Sequence, residues 1–307
     1  MGILKGTKSF YDTEISDSVA QNIKSMVEYG LLEVNAFTNF QIPNTYSRLN
    51  KINDREFNGL GAQWVWESGI ESVDGTSPIQ ISGIYVNNNF VANGQNYTSG
   101  SLSASWIVDY RNGRVVFSTD MPTSTVVKVN HSIKDVAVYL SDSEQWKFLI
   151  DSYLQRFSTE ENLAPSGMAQ TLKKNRCWLP CVIIDTGSMS VDPYQLGGGE
   201  LAKCGITYHI FSDNAFSAKR LNDLIVNQDE RTINIYNTNT APFSLKNNGS
   251  IPSGILTHKQ LSSRDSPYFW TFADLEETNG TYIGSDNDLY RSEVRQVVSV
   301  YRYNSTY

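Results

Sequence analysis

Residues 106–118 read Trp106-Ile107-Val108-Asp109-Tyr110-Arg111-Asn112-Gly113-Arg114-Val115-Val116-Phe117-Ser118. Trp106, Val108 and Tyr110 alternate, Asn112-Gly113 reverses the chain, and Arg114 to Ser118 returns. Asn-Gly between alternating apolar residues signals a two-residue hairpin turn, because such a turn needs positive φ. Upstream, Ile79, Ile81, Ile84 and Val86 lead into a second turn at Asn87-Asn88-Asn89. Downstream, Met121-Pro122-Thr123 breaks the chain. It resumes with Val127, Val129 and His131 on one face and Val126, Lys128 and Asn130 on the other. Asp135 to Leu140 is one more short strand. Strands at about 8–12-residue spacing, joined by turns, predict an antiparallel β-sandwich or barrel.

The flanking segments differ. Residues 16–30 read as a helix, capped by Ser16 or Asp17, with Val19, Ile23, Met26 and Val27 at helical spacing and Gly30 just past the last turn. Residues 35–75 have loop composition, interrupted by the aromatic strand candidate Gln63-Trp64-Val65-Trp66. Residues 141–176 read as a connecting region, containing Trp146 to Phe157 and a polar passage at Pro165-Ser166-Gly167. In the second half, Cys181-Val182-Ile183-Ile184 is a continuous apolar run that predicts a fully buried strand. Leu196-Gly197-Gly198-Gly199 is a loop. Ile206 to Phe211 is a strand, and Asp213 caps a helix bearing Ala215, Ala218, Leu221, Leu224 and Ile225. Arg231 to Tyr236 and Val294 to Tyr303 are strands. The expected fold is mainly β with an α+β second half. The expected domains are a helix and antiparallel β-sandwich over 1–140, a connection over 141–176, and an α+β domain over 177–307.

Composition agrees with this reading. Of 307 residues, 40% are hydrophobic and 19% charged, and 27 Asn outnumber 21 Gly. Low charge with many aromatics excludes a disordered chain and a coiled coil. Abundant Asn suits a chain with many turns. The net charge of −7 does not favour phosphate-backbone binding by the chain as a whole. The densest basic cluster, Lys173-Lys174-Asn175-Arg176, is too short to change that. Three cysteines argue against a secreted disulfide framework. Met1 to Lys8 lacks the apolar region of a signal peptide. Gly6 stands where a myristoylation motif wants Ser or Thr. No stretch approaches the ~20 apolar residues of a membrane span. The expectation is a soluble protein made in a cytoplasm, with no membrane partner. The sequons at Asn96 and Asn279 follow from high Asn, Ser and Thr content.

Few residues point to chemistry. Cys177, Cys181, Cys204 and His209 are the residue types that zinc takes. Their spacing is not that of a zinc knuckle, so the reading is buried free thiols and no metal. His131 and His209 fall in strand patterns and His258 in a loop; each reads as a structural histidine. No Gly-x-Ser-x-Gly elbow, His-Glu-x-x-His, phosphate loop or dinucleotide fingerprint occurs. Glu200 after Gly197-Gly198-Gly199 would repel a phosphate. Ser285-Asp286-Asn287-Asp288 lacks the later Gly and Glu of a calcium loop and reads as a turn. No catalytic, cofactor-binding or metal residue is assigned, no cofactor is expected, and the chain reads as a non-enzyme.

The stretch Asp109 to His131 resembles a hairpin pattern of virion proteins from tailed bacteriophages: Asp-Tyr, a turn ending in Gly, Val-x-Phe, a Pro, then an alternating valine strand ending in an aromatic or His. Ile81 to Asn88 fits the same pattern. Tyr208-His209-Ile210-Phe211 followed by Asp213 to Ile225 is similar to the second half of neck, or head–tail connector, proteins. The resemblance covers about half the chain. It implies a structural protein of the virion, assembled in the host cytoplasm as a homo-oligomer ring between portal and tail proteins. Genomic DNA would pass through its lumen without specific binding, which a negative wall favours. Ring interfaces of this kind are heterologous and close by rotation. Edge strands and the terminal segments 1–15 and 303–307 are the candidate contacts.

Two alternatives stand beside it. Another virion component (tail fibre, baseplate or capsid decoration protein) uses the same hairpin, although fibres usually show repeats and none is visible. A β-sandwich carbohydrate-active enzyme would need convergent carboxylates and exposed aromatics such as Trp64, Trp66 and Trp270, for which core packing is the simpler role.

Overall fold

A computed structural model describes residues 15–61, 63–143, 146, 177–194, 199–286 and 289–302. The chain divides into two compact units. One comprises residues 29–136 with 244–255; the other comprises 1–28, 137–243 and 256–307. Helix α1 (Ile15–Glu33) contributes its last residues to the first unit and the rest to the second. Its end is an αL cap: Asn35 takes φ +66, Ala36 N donates to Leu31 O (2.9 Å) and Asn35 N to Leu32 O (3.1 Å). That double bond is the Schellman arrangement, with Asn in the position glycine usually fills. Gly30, expected to end the helix, lies inside it.

The first unit holds β1 (Phe37–Phe40), β2 (Asn50–Lys51), β3 (Glu56–Asn58), β4 (Gly83–Val86), β5 (Asn89–Ala92), β6 (Tyr97–Ser99), β7 (Leu102–Ala104), β8 (Trp106–Asp109), β9 (Arg114–Phe117), β10 (Val127–Lys128) and β11 (His131–Lys134). A three-stranded sheet, β10-β4-β5, and a four-stranded sheet, β2-β3-β9-β8, share one core. Phe57, Ile84, Val86, Val91, Val108, Val115, Phe117 and Val127 meet there. This is the expected sandwich.

The two predicted turns exchange roles. Asn87 (φ +51) and Asn88 (φ +68) make the two-residue turn between Val86 and Asn89, which pair directly. Both positive φ values are what a type I′ turn requires, and Asn tolerates them. At Asn112-Gly113 the expected two-residue turn is instead a four-residue loop, 110–113, closed by the pair Asp109–Arg114. The cause is Asp109, which is buried. Its carboxylate accepts from Asn112 N (3.1 Å), Asn112 Nδ2 (2.8 Å) and Arg114 Nε (2.8 Å). Those bonds hold a wider loop than the sequence pair alone suggests. Gly113 ends it at φ +62.

The second unit is built on β12 (Ala137–Leu140), β13 (Cys181–Tyr194), β14 (Gly199–Ser212), β15 (Arg231–Tyr236), β16 (Phe269–Asp286) and β17 (Leu289–Arg302), with α2 (Ala215–Val226) and α3 (His258–Leu261). They form one six-stranded sheet in the order β12-β13-β14-β17-β16-β15. Every pair is antiparallel except β12 with β13. The strand–helix–strand run β14-α2-β15 is the α+β feature that the apolar spacing predicts. Ala218, Leu221 and Ile225 of α2 are buried. The cap is Asn214, whose Oδ1 accepts from Ser217 N (2.8 Å). Asp213, the expected cap, accepts from Asn214 Nδ2 instead (2.8 Å).

The two units are less linear than the expected domains 1–140 and 177–307. Residues 15–28 belong with the six-stranded sheet because the fully buried Asn22 binds the end of β15. Asn22 Nδ2 donates to Tyr236 O (3.0 Å) and Tyr236 N donates to Asn22 Oδ1 (2.9 Å). The strand expected at 135–140 adds parallel to β13, Ala137 opposite Cys181. Residues 244–255 belong with the sandwich because Tyr110 N donates to Gly249 O (3.0 Å). The segments around Lys173 to Arg176 and Pro165, residues 147–157, 195–198 and 287–288, and the proposed terminal arms lie outside the described residues, apart from Ile15.

Candidate functional site: sheet edges and a cysteine–histidine face

Strand length decides which backbone groups stay open. β13 and β14 have 14 residues each and β16 has 18. The outer neighbours of β13 and β16 are far shorter. β12 pairs with β13 only along Cys181–Ile184. β15 pairs with β16 only along Phe269–Leu275. Among the described residues, no strand pairs with the outer edge of β13 over 185–194, or with that of β16 over 276–286, where Thr278 N donates instead to Asp229 Oδ1 (3.0 Å). Three antiparallel steps separate β13 from β16, so they run in opposite directions and their open halves lie at opposite ends of the sheet. Met189 (45%), Val191 (44%) and Ile283 (52%) are exposed along them, and Tyr282 is half-exposed. Neither stretch contains Lys or Arg, and lysine is a frequent guard of free edges. Pro193, the carboxylates Asp185, Asp192, Glu276 and Glu277, and the register breaks at 186–189, 276–279 and 282–284 guard them in part.

The sequence reading missed these edges. It found strands of four to ten residues from apolar runs, and the outer halves, such as Thr186-Gly187-Ser188-Met189-Ser190, are polar and glycine-bearing. A break in register between Thr186 and Met189 also hides their alternation.

The second feature is one face of the same sheet. Ala137, Tyr139, Cys181, Ile183 and Phe211 form a buried cluster, against which Trp146, Cys177 and Leu289 pack. Cys181 lies opposite Phe211, and Ile183 opposite His209. The His209 ring stacks on Trp146 (centroids 5.0 Å, 19° between planes). Its Nδ1 is 3.6 Å from Glu293 Oε2, which Arg291 and Arg295 flank (3.6 and 2.8 Å). Burial lowers the His209 pKa; Glu293 opposes this and Arg291 adds to it. The neutral imidazole therefore acts as a packing ring.

Of the four residues with zinc-ligand chemistry, only Cys177 and Cys181 touch, Sγ to Sγ at 3.3 Å. Cys204 is five residues before His209 on an unbroken strand and so faces the other side. No group of three ligating side chains among the described residues can hold a metal.

Of the other two histidines, His131 is fully buried and His258 is half-buried. His131 lies against Trp64 (4.3 Å) and Phe40 (5.4 Å), its Nδ1 is 3.1 Å from Val129 O, and burial lowers its pKa. His258 is pushed down to about 4 by burial and then by the charge of Arg231. Each is neutral in the folded chain and protonates more readily when unfolded, near 6.5. For His258 the stability tied to this is full above pH ~6.5 and is lost as pH falls toward about 4; for His131 the direction is the same. We expect the urea midpoint to drop between pH 7 and pH 5, and His258→Gln to flatten that drop. An unchanged slope in the variant would remove His258 as a cause.

Among the proposed sugar-binding aromatics, Trp64 is buried and Trp66 packs against the sandwich core, whereas Trp270 is partly exposed at 38%. Compared with models of known protein families and with curated proteins, the chain matches none. No helix among the described residues is long and apolar enough to cross a membrane.

Proposed function

We propose that this chain is a structural protein of a tailed-phage virion, forming a homo-oligomeric ring in the neck, between portal and tail, around the DNA channel. The observation that carries the assembly reading is the pair of open edges on the six-stranded sheet. Two copies in the same orientation, shifted by about half a strand, present the β13 edge of one to the β16 edge of the other in opposite directions. That is the requirement for antiparallel pairing. A contact between two different edges is heterologous, so each copy offers a donor and an acceptor side and the array closes if the rotation allows. The net charge of −7 suits a wall that DNA passes without adhering. The neck position rests on the resemblance of Asp109 to His131 and of Tyr208 to Ile225.

The test is imaging of intact particles that carry this chain, with gold-labelled antibody against it. Label at the head–tail junction is expected. Label at the tail tip or fibres would transfer the chain to another virion component, and absence from particles would end the reading. Val191→Lys with Tyr282→Lys, which puts charge on both open edges, is expected to abolish incorporation while the purified chain keeps its far-ultraviolet spectrum. Normal incorporation would remove the edges from the interface.

A further inference from the structure

The function proposed above makes no use of the two touching thiols. Cys177 and Cys181 are free, four residues apart, with Sγ atoms at 3.3 Å. Cys181 is fully buried at the start of β13, where its neighbours hold it in place. Cys177 is partly exposed. A disulfide needs the two sulfurs at about 2.0 Å, so about 1.3 Å must be closed, and Cys177, which packs at the margin of the cluster that encloses Cys181, is the less buried of the two. Cys204 is buried on the opposite face of the sheet and cannot compete. Its thiol is pushed up to about 11 by burial, which leaves it unreactive. A metal does not account for the pair, because no third ligand joins them among the described residues.

We propose that Cys177 and Cys181 are a redox-modification site, which a small-molecule disulfide such as glutathione disulfide converts to an intrachain Cys177–Cys181 disulfide. The Cys177 thiolate attacks one sulfur of the oxidant, forming a mixed disulfide and releasing one thiol. The Cys181 thiolate then attacks the Cys177 sulfur, forming the protein disulfide and releasing the second thiol. The protein loses two electrons and two protons, and the oxidant gains both. Burial, and next the neighbouring Cys177, raise the Cys181 pKa well above the usual thiol range. The second step is therefore the slow one and quickens as pH rises. The consequence is local: the bond ties the residues entering β13 to the sheet itself. This inference is independent of the neck assignment.

The test is to incubate the full chain with glutathione disulfide, alkylate all remaining thiols in denaturant, and analyse tryptic peptides by mass spectrometry. Cleavage after Arg176 and Lys203 places both cysteines in one peptide. The expected product is that peptide unalkylated and lighter by two hydrogens, with Cys204 alkylated, and with reversal by dithiothreitol. Cys181→Ser is expected to stop at the mixed disulfide, with glutathione retained on Cys177. Yield in a fixed time is expected to rise several-fold from pH 7 to pH 9. Alkylation of both thiols after oxidation, or consumption of Cys204 in place of the pair, would overturn the proposal. The wild-type measurement stands even if a variant fails to fold.

Discussion

Lys134→Met is expected to destabilise the sandwich unit by about 3–5 kcal/mol, the cost of leaving one member of a buried ion pair without its partner. Lys134 Nζ lies 2.5 Å from Glu67 Oε1, and their side chains are 5% and 4% exposed. The other carboxylate oxygen of Glu67 accepts from Trp66 N at 3.1 Å. The pair is thus shielded from water, and removing the ammonium leaves a carboxylate in a poorly solvated site. For a unit whose total stability is of the usual order of 5–15 kcal/mol, that is a large share. The double variant Lys134→Met, Glu67→Leu removes both charges and is expected to recover most of the loss, because a buried pair replaced by packed apolar groups is often neutral. Urea unfolding followed by tryptophan fluorescence, to which Trp64, Trp66 and Trp106 of this unit contribute three of the six tryptophans, measures both. A loss below about 1 kcal/mol for the single variant would show that water reaches the pair.

Gly113→Ala is the second large effect. Gly113 has φ +62, where a left-handed backbone costs an alanine about 1–2 kcal/mol. Space is the greater obstacle. A Cβ built there meets Gly61 O at 1.9 Å and Trp64 Nε1 at 2.8 Å. The first is backbone and cannot rotate away. Gly59 N donates to Gly113 O (2.9 Å) and Trp64 N to Tyr110 O (2.8 Å), so the loop is bound to the 59–64 segment on two sides. The expected loss is about 3 kcal/mol or more, beyond the conformational cost alone. Gly94→Ala is the control. It has φ +79 with nothing within 4 Å of the added Cβ, so it should cost only the backbone term. Equal losses for the two variants would mean that the loop yields and that the contact with Gly61 is not a constraint.

Much of the fold was legible because it depends on local periodicity. The alternation at Val127, Val129 and His131 gave the buried face correctly: all three are fully buried, and Val126, Lys128 and Asn130 are not. The unbroken apolar run from Cys181 to Ile184 gave a strand buried on both faces. Spacing in Ala215–Val226 gave the helix. Errors arose where a side chain competed with a local rule. Asp109 widened the Asn112-Gly113 turn, and Asn214 rather than Asp213 reached the open helix amide. Asn35 replaced Gly30 as the terminator, since either residue tolerates positive φ and the helix still had apolar Leu31 and Leu32 to bury.

Periodicity acts between neighbours in the chain, so the β-rich class, the sandwich and the β14-α2-β15 order are written in residue order. The open edges, the buried Lys134–Glu67 pair and the contact between Cys177 and Cys181 depend on what comes alongside after folding. Among the described residues an edge is free only because β12 and β15 are too short to cover it, and an ion pair is dry only because other segments close over it. Pairing partners far apart in sequence are selected by the whole packing, and only the tertiary structure contains that information.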